Sequence, residues 1–356
     1  MVNTKNPAKK TVKKKTGLLG IMVADAKVQK AVLARYARYN TTKMRLFSFT
    51  PSDIDWERKK ITGLHRIDRN WKKGLFPFPD IIYNRCYEVN EDLIDRLEAV
   101  MGKNKCFNHI NHLNKYEMYG HLSQSLDAFL PETIPYDKKT AADFLTAHKL
   151  LYLKPCLGNK GQGVYRVEMK ESGQIHIGEH HIQSLFIAQD LSQFLEKMDE
   201  YLGSTPYIIQ QGVNVRTLVD RVFDIRVLVQ KNRAGLWSVT SAVSRVSYSG
   251  CFNTSLFEHM YATQDFLQYL YTPEKAQALM LSIHDVSLKA AECIETYGSL
   301  HLGELSVDLA LDCDDRPWII EVNGKPQKNL YKHFESYGTA YKLPLEYAHF
   351  LRNRPS

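Results

Sequence analysis

The chain has 356 residues, 44% hydrophobic and 24% charged, which excludes a wholly disordered or collagen-like protein and leaves room for two or three domains. Its formal charge is +8, but six lysines and no acid fall within residues 1–16; the remainder carries only +2, so a nucleic-acid partner is not expected. No apolar run approaches the roughly 18 residues of a membrane span, and six scattered cysteines without a Cys-x-x-Cys pair point to a reducing, cytoplasmic setting.

Residues 1–16 read as a disordered basic tail, since like charges repel and nothing apolar is there to bury; it serves either solubility or tethering to an acidic partner. Gly17–Ala24 loosely imitates a secretory signal, but eight residues with two glycines fit a first buried strand better, at Leu18–Val23. A helix over Ala26–Tyr39 and strands at Met44–Ser48 and Asp80–Tyr83 follow, and this alternation implies a parallel α/β domain over residues 17–107. Residues 108–205 form a second unit: a helix through Ser125, another at Ala141–His148, strands Leu150–Lys154 and Gly163–Met169 around a Gly-rich turn, and a helix within Leu185–Leu202. Residues 206–356 form a strand-rich α+β unit, with Pro206–Gln211, Phe223–Lys231, Leu236–Arg245, Leu305–Leu311 and Trp318–Val322 as strands and a helix over Pro273–Tyr297.

The strongest chemical signal is the late hairpin. Side chains alternate along a strand, so Glu321 and Asn323 share a face; a turn centred between Asp314 and Asp315 sets Asp308 across from Glu321. Acids inside apolar strands are costly without a partner, and two carboxylates with an amide oxygen suit a hard cation such as Mg²⁺. Lys154 ends an apolar strand before Gly158, Gly161 and Gly163, with Lys160 between them, which reads as a phosphate-cradling nest or as an ordinary turn. Gln210, Gln211 and Val213 close another strand, where amides and backbone groups suit a purine edge or simply a surface. Arg226 shares a face with Asp224, and Arg245 ends the next strand; they clamp a transferring phosphoryl group or form surface pairs. Lys115 alone carries no signal, and His176, His180 and His181 read as a surface hairpin rather than a zinc site, with no cysteine partner in view.

In this order the motifs resemble the ATP-grasp superfamily: an N-terminal α/β pre-ATP-grasp domain followed by a two-lobed ATP-grasp fold. The resemblance makes Lys115 and Lys154 the phosphate lysines, Gly158–Gly163 the flexible loop, Gln210–Val213 the adenine hinge, and Asp308, Glu321 and Asn323 the metal set. Phe223–Val227, Arg245 and Glu321–Pro326 resemble the YheC/YheD branch associated with the endospore coat. It implies an ATP-dependent ligase, Mg²⁺ (or Mn²⁺ in its place), an acyl-phosphate made from a carboxylate, and an amine or thiol acceptor, with an acidic peptide, coat protein or cell-wall component as candidate substrate. Lys154, Arg226 and Arg245 then offset charge during transfer. Two alternatives stay open: an ATP-grasp kinase, and a nucleotide-binding structural coat protein. Ser306 stands where D-alanine-type ligases carry an arginine, so that product is not expected unless Arg226 or Arg245 substitutes.

Overall fold

The fold comes from a computed structural model that describes residues 16–86, 91–108, 113–158 and 161–354. The basic tail up to residue 15 and Lys160 lie outside the described residues.

The first unit holds β1 (Leu18–Met22), α1 (Ala26–Arg38), β2 (Arg45–Phe49), β3 (Ile54–Asp55), β4 (Lys60–Ile67), β5 (Asn70–Pro77), β6 (Ile81–Asn84), α2 (Glu91–Met101) and β7 (Cys106–Phe107). β2, β1, β6 and β7 run parallel. Leu19, Ile21, Ile81 and Ile82 are fully buried, as a sheet covered on both faces requires. α1 starts where the Asp25 carboxylate accepts from the Lys27 N–H. An antiparallel extension, β3, β4 and β5, was not read from the sequence; it joins the sheet through β2, with β5 outermost on β4.

The second unit comprises α3 (Lys115–Leu126), β8 (Thr133–Pro135), α4 (Lys138–His148), β9 (Leu150–Pro155), β10 (Tyr165–Met169), β11 (Ile175–Glu179), β12 (Phe186–Ala188), α5 (Leu191–Leu202) and β13 (Tyr207–Gln211). Its sheet is antiparallel, in the order β12-β11-β10-β9-β13-β8. Phe144 and Leu145 of α4 and Phe194 and Met198 of α5 pack on Leu151 and Leu153 of β9. β13, expected to open the last unit, pairs instead with β9 and β8 of this sheet.

The third unit contains β14 (Thr217–Leu218), β15 (Arg221–Lys231), β16 (Trp237–Ser247), β17 (Phe257–Ala262), α6 (Thr263–Leu270), α7 (Pro273–Tyr297), β18 (Glu304–Leu311), β19 (Pro317–Asn323) and α8 (Tyr337–Asn353). The antiparallel order is β17-β16-β15-β18-β19, with β14 on β15. α7 begins cleanly, with Thr272 accepting from the Lys275 N–H and Pro273 in the first turn. Leu279, Ile283, Val286 and Ala290 of α7 cover Ile225, Val227, Val229, Leu305, Val307 and Leu309. Strand alternation therefore throws Asp224, Arg226, Ser306 and Asp308 onto the opposite face, and this positions the site.

α8 crosses back to the first sheet, where Tyr341, Leu345 and Leu351 share a core with Leu19, Ile21 and Tyr36. Beneath it lies a buried ionic cluster joining the first and third units. Glu304 is fully buried and bonds Arg85 (2.8 Å), Lys328 (2.6 Å) and Gln230 (2.8 Å), and accepts from the Tyr83 hydroxyl. Burial works against the Glu304 charge, but Lys328 and Arg85 hold its carboxyl below the usual range.

Candidate active site

The late hairpin sets Asp308 opposite Glu321 and Ser306 opposite Asn323. The route differs from the sequence argument: Leu311 pairs with Pro317, so the turn centres on Asp314, and a register shift after Asp308 restores the Asp308–Glu321 match. Two neighbouring strands extend the charged row, with Arg226 opposite Asp308 and Arg245 opposite Asp224. Arg226 grips the Asp308 carboxylate with two bonds, Nε at 2.6 Å and Nη2 at 2.5 Å. Arg245 donates to Asp224 from Nε at 2.8 Å and to Asp308 from Nη2 at 3.1 Å. Burial opposes ionisation of Asp308, but the two guanidinium groups outweigh it and hold its carboxyl below the usual range. Arg226, from the adjacent strand, thus stands against the acid that Ser306 cannot reach.

The row forms one wall of a cleft of about 440 Å³ between the second and third units. Lys115 opens α3, where Asn114 caps the helix, and its Nζ lies 3.2 Å from the Gly158 carbonyl and 3.4 Å from Glu321. Lys154 ends β9, and its Nζ donates to Gln210 Oε1 at 2.5 Å. Burial lowers the Lys154 pKa to about 8, with Glu321 opposing that shift. Gly158 and Gly161 line the cleft. Gly161 has φ +70° and faces Ser255 Oγ, which a Cβ would meet at 2.6 Å; Gly163 has φ +67° beside the Tyr207 hydroxyl.

The paired amides also bond within the protein. Gln210 accepts from Lys154 and donates to Thr133 Oγ1 at 3.1 Å, while Gln211 Oε1 accepts from the Glu132 N–H at 3.2 Å. Beside them lies an apolar slot of about 120 Å³, lined by Gln210, Gln211 and by Tyr152, Val213, Phe252 and Ile320.

Three buried polar atoms in the cleft, Ser306 Oγ, Asn323 Nδ2 and Asn253 Nδ2, have no hydrogen-bond partner, a pattern that marks a place where something else binds. No three His, Cys, Asp or Glu side chains come together among the described residues. The hairpin offers two carboxylates and one amide oxygen, the composition that suits Mg²⁺ completed by water and phosphate oxygens. The residues present therefore fit such an ion. His181 does meet a cysteine, contrary to the sequence reading: its Nδ1 lies 3.6 Å from Cys251 Sγ, contributed by the third unit. His176 bonds Ser184 at 2.8 Å, and the histidines do not converge.

Further contributors stand outside the candidate site residues that the sequence points to. Asn253, Thr254 and Ser255, in the β16–β17 connection, line the cleft, with the Thr254 hydroxyl donating to Asp224. Lys325 and Gln327, just past β19, form its far end, with the Lys325 ammonium donating to the Cys86 carbonyl of the first unit. Burial lowers the Lys325 pKa to about 7, and the neighbouring Arg85 adds to that. Glu304 was legible by the same rule as Asp308, an acid opening an apolar strand, but was not singled out.

A family model described as YheC/D-like ATP-grasp matches residues 103–351. The endospore coat-associated protein YheD of Bacillus subtilis is 25% identical over 304 residues; the match takes in 81% of this chain but only 65% of that protein's length. The coat-associated protein YheC of the same organism is 25% identical over 331 residues, 88% of this chain and 90% of that protein. Among solved structures, D-alanyl-alanine synthetase A from Vibrio cholerae superposes with a TM-score of 0.56 at 12% identity, covering 95% of this chain and 99% of that one. At that identity the likeness shows a shared fold.

Proposed function

The chain belongs to the YheC/D-like ATP-grasp family, and on that premise we propose that it is an ADP-forming ligase that activates a carboxylate as an acyl-phosphate and passes it to an amine or thiol. The carrying observation is the charged row itself. Asp308, Glu321 and Asn323 face the same cleft as Lys115, Lys154, Arg226 and Arg245.

In this reading the adenine enters the apolar slot beside β13, and the triphosphate runs toward Lys115 and Lys154 beneath the Gly158–Gly163 turn. Asp308, Glu321 and Asn323 would hold Mg²⁺, which offsets phosphate charge when bound. Lys115 and Lys154 supply fixed positive charge to the phosphate oxygens, and Lys154 gains its proton more firmly as they approach. Arg226 and Arg245 orient Asp308 by their bonds and lend charge where the phosphoryl group moves. Lys325 and Gln327 reach the end of the cleft away from the glycine turn, where the carboxylate substrate would lie. The substrate class is a carboxylate on an acidic polypeptide or cell-wall peptide, and the relatives' names suggest work at the spore coat.

The test is ADP release from Mg²⁺-ATP with single amino acids and acidic peptides, with mass spectrometry of the products. Free phosphate that appears only with an amine supports the ligase. A phosphorylated acceptor as final product would make the protein a kinase, and no turnover with any acceptor would leave a nucleotide-binding coat component.

A further inference from the structure

The net charge of the body hides a strong asymmetry. Between residues 16 and 77 there are thirteen Lys and Arg against five Asp and Glu, whereas residues 78–356 hold twenty-eight against thirty-four. The modest overall charge is therefore the sum of a basic N-terminal part of the first unit and an acidic remainder. Among the described residues, only Arg58 of those thirteen cations reaches a carboxylate, that of Asp55 at 3.9 Å. Elsewhere the cleft and the junctions pair their charges closely. Like charges gathered without partners raise the energy of the folded state and create a field that favours an external polyanion.

The cations concentrate on β4, β5 and the exposed face of α1. Among the described residues β5 pairs with β4 alone, and no strand lies on its outer edge. The two strands meet in a two-residue turn, Asp68-Arg69, with φ values of 47° and 68°. That turn makes Ile67 and Asn70 the closing hydrogen-bonded pair, and the alternation that follows turns the backbone N–H and C=O of Trp71, Lys73 and Leu75 outward. Arg66, Arg69, Lys72 and Lys73 are exposed around this edge, and Leu75 is 64% exposed on it.

The geometry points to a docking site at the β5 edge for an acidic polypeptide in extended form, added as a further strand with its carboxylates against Arg66, Arg69, Lys72 and Lys73. Main-chain bonds supply the affinity and the flanking cations choose the sequence. A nucleic acid fits less well: Trp71 is half-buried and the Arg66 guanidinium sits over its ring, 5.8 Å from the centre, in the way of a stacking base. The exposed apolar neighbours, Ile67 and Leu75, are aliphatic. His65 lies among these cations, and burial, Arg45 and Lys72 all lower its pKa. The surface takes the same substrate class as the ligase reading but does not depend on it, because docking is measured without nucleotide.

The experiment is fluorescence anisotropy of a labelled Glu-rich peptide on the full chain, beside an oligodeoxythymidine of similar charge and vesicles of anionic lipid, at about 50 and 300 mM salt. The peptide should bind, and more weakly at high salt. Arg66→Gln, Arg69→Gln, Lys72→Gln and Lys73→Gln together should weaken it about tenfold. Lys73→Pro should cost about fivefold more than Lys73→Gln, because the proline removes an outward N–H and leaves the β4 ladder intact. An unchanged unfolding midpoint in these variants separates lost docking from lost fold. The proposal is overturned if the peptide does not bind, if the oligonucleotide or vesicles bind as well as the peptide, or if the variants bind like the parent. Removal of residues 1–15 abolishing binding that the quadruple variant retains would likewise overturn it.

Discussion

Asp308→Asn and Glu321→Gln make an informative pair, because the two acids should share a function while differing in what holds them. Asp308 is 5% exposed and takes three bonds from two guanidinium groups. Converting it to an amide leaves the buried Arg226 without its carboxylate, a change worth about 3–5 kcal/mol when one partner of a buried pair is lost. Arg245 keeps Asp224, so the lower end of that range is expected. Glu321 has a side chain 31% exposed and a single ion pair, with Lys115 at 3.4 Å. Its neutralisation should shift stability by less than about 1 kcal/mol. Both should abolish Mg²⁺-ATP turnover, since each replaces a charged carboxylate donor of the proposed ion by a neutral amide. Urea unfolding at constant slope reads the first quantity and ADP release the second. Retained turnover in Glu321→Gln would remove the metal assignment. Equal stability losses in both would refute the claim that Arg226 and Asp308 form the buried half of the row.

Further outcomes follow from the same geometry. With the cleft empty, burial holds Lys154 at about 8, and phosphate favours its charged form, so nucleotide binding takes up a proton wherever the free lysine is neutral. ATP affinity should be level below about pH 8 and fall by at most about tenfold per unit above it. Lys154→Arg should flatten that slope, which calorimetry in two buffers of different ionisation enthalpy would detect. Gly161→Ala places a side chain at φ +70° and 2.6 Å from Ser255 Oγ, so ATP should bind about tenfold more weakly for about 1 kcal/mol of stability; a variant indistinguishable from the parent in nucleotide titration would refute the close approach of the two loops. Glu304→Gln removes the carboxylate shared by Lys328 and Arg85, and urea unfolding should report a loss of about 3–5 kcal/mol. That variant should also lower turnover, because the cluster anchors the segment carrying Asn323 and Lys325.

What could be read from the sequence follows from where periodicity carries information. β18 and β19 announced themselves because apolar residues alternate with rare acids, and a single hairpin fixes their mutual register to within a residue. The turn was placed half a residue off and a register shift compensated, which pattern reading has no means of seeing. The parallel strands β1, β2 and β6 were legible as short apolar runs. β4 and β5 were not, since Lys, Arg, Gly and Thr occupy most of their outward positions and, of their large apolar side chains, only Ile61 and Phe76 are buried. Gln210 and Gln211 were assigned by residue type alone. Their partners, Lys154, Thr133 and Glu132, sit on other strands or in loops and become neighbours only through the fold.

The charge pattern separates two physical uses of the same residues. On β15, β16 and β18, acids and arginines alternate across directly opposed positions, so burial is tolerated because each charge meets its opposite at about 2.5–3 Å. The row also lines the cleft, so its stability is tied to the residues that would do the chemistry. On β4 and β5, by contrast, Arg66, Lys72 and Lys73 are exposed and, among the described residues, meet no carboxylate. A sum over the whole chain averages the acidic remainder against the basic N-terminal part of the first unit and conceals both. Where charges are matched, the sequence is reporting a site built to hold its geometry; where they are unmatched on an open strand edge, it is reporting a surface whose counter-charge comes from another molecule.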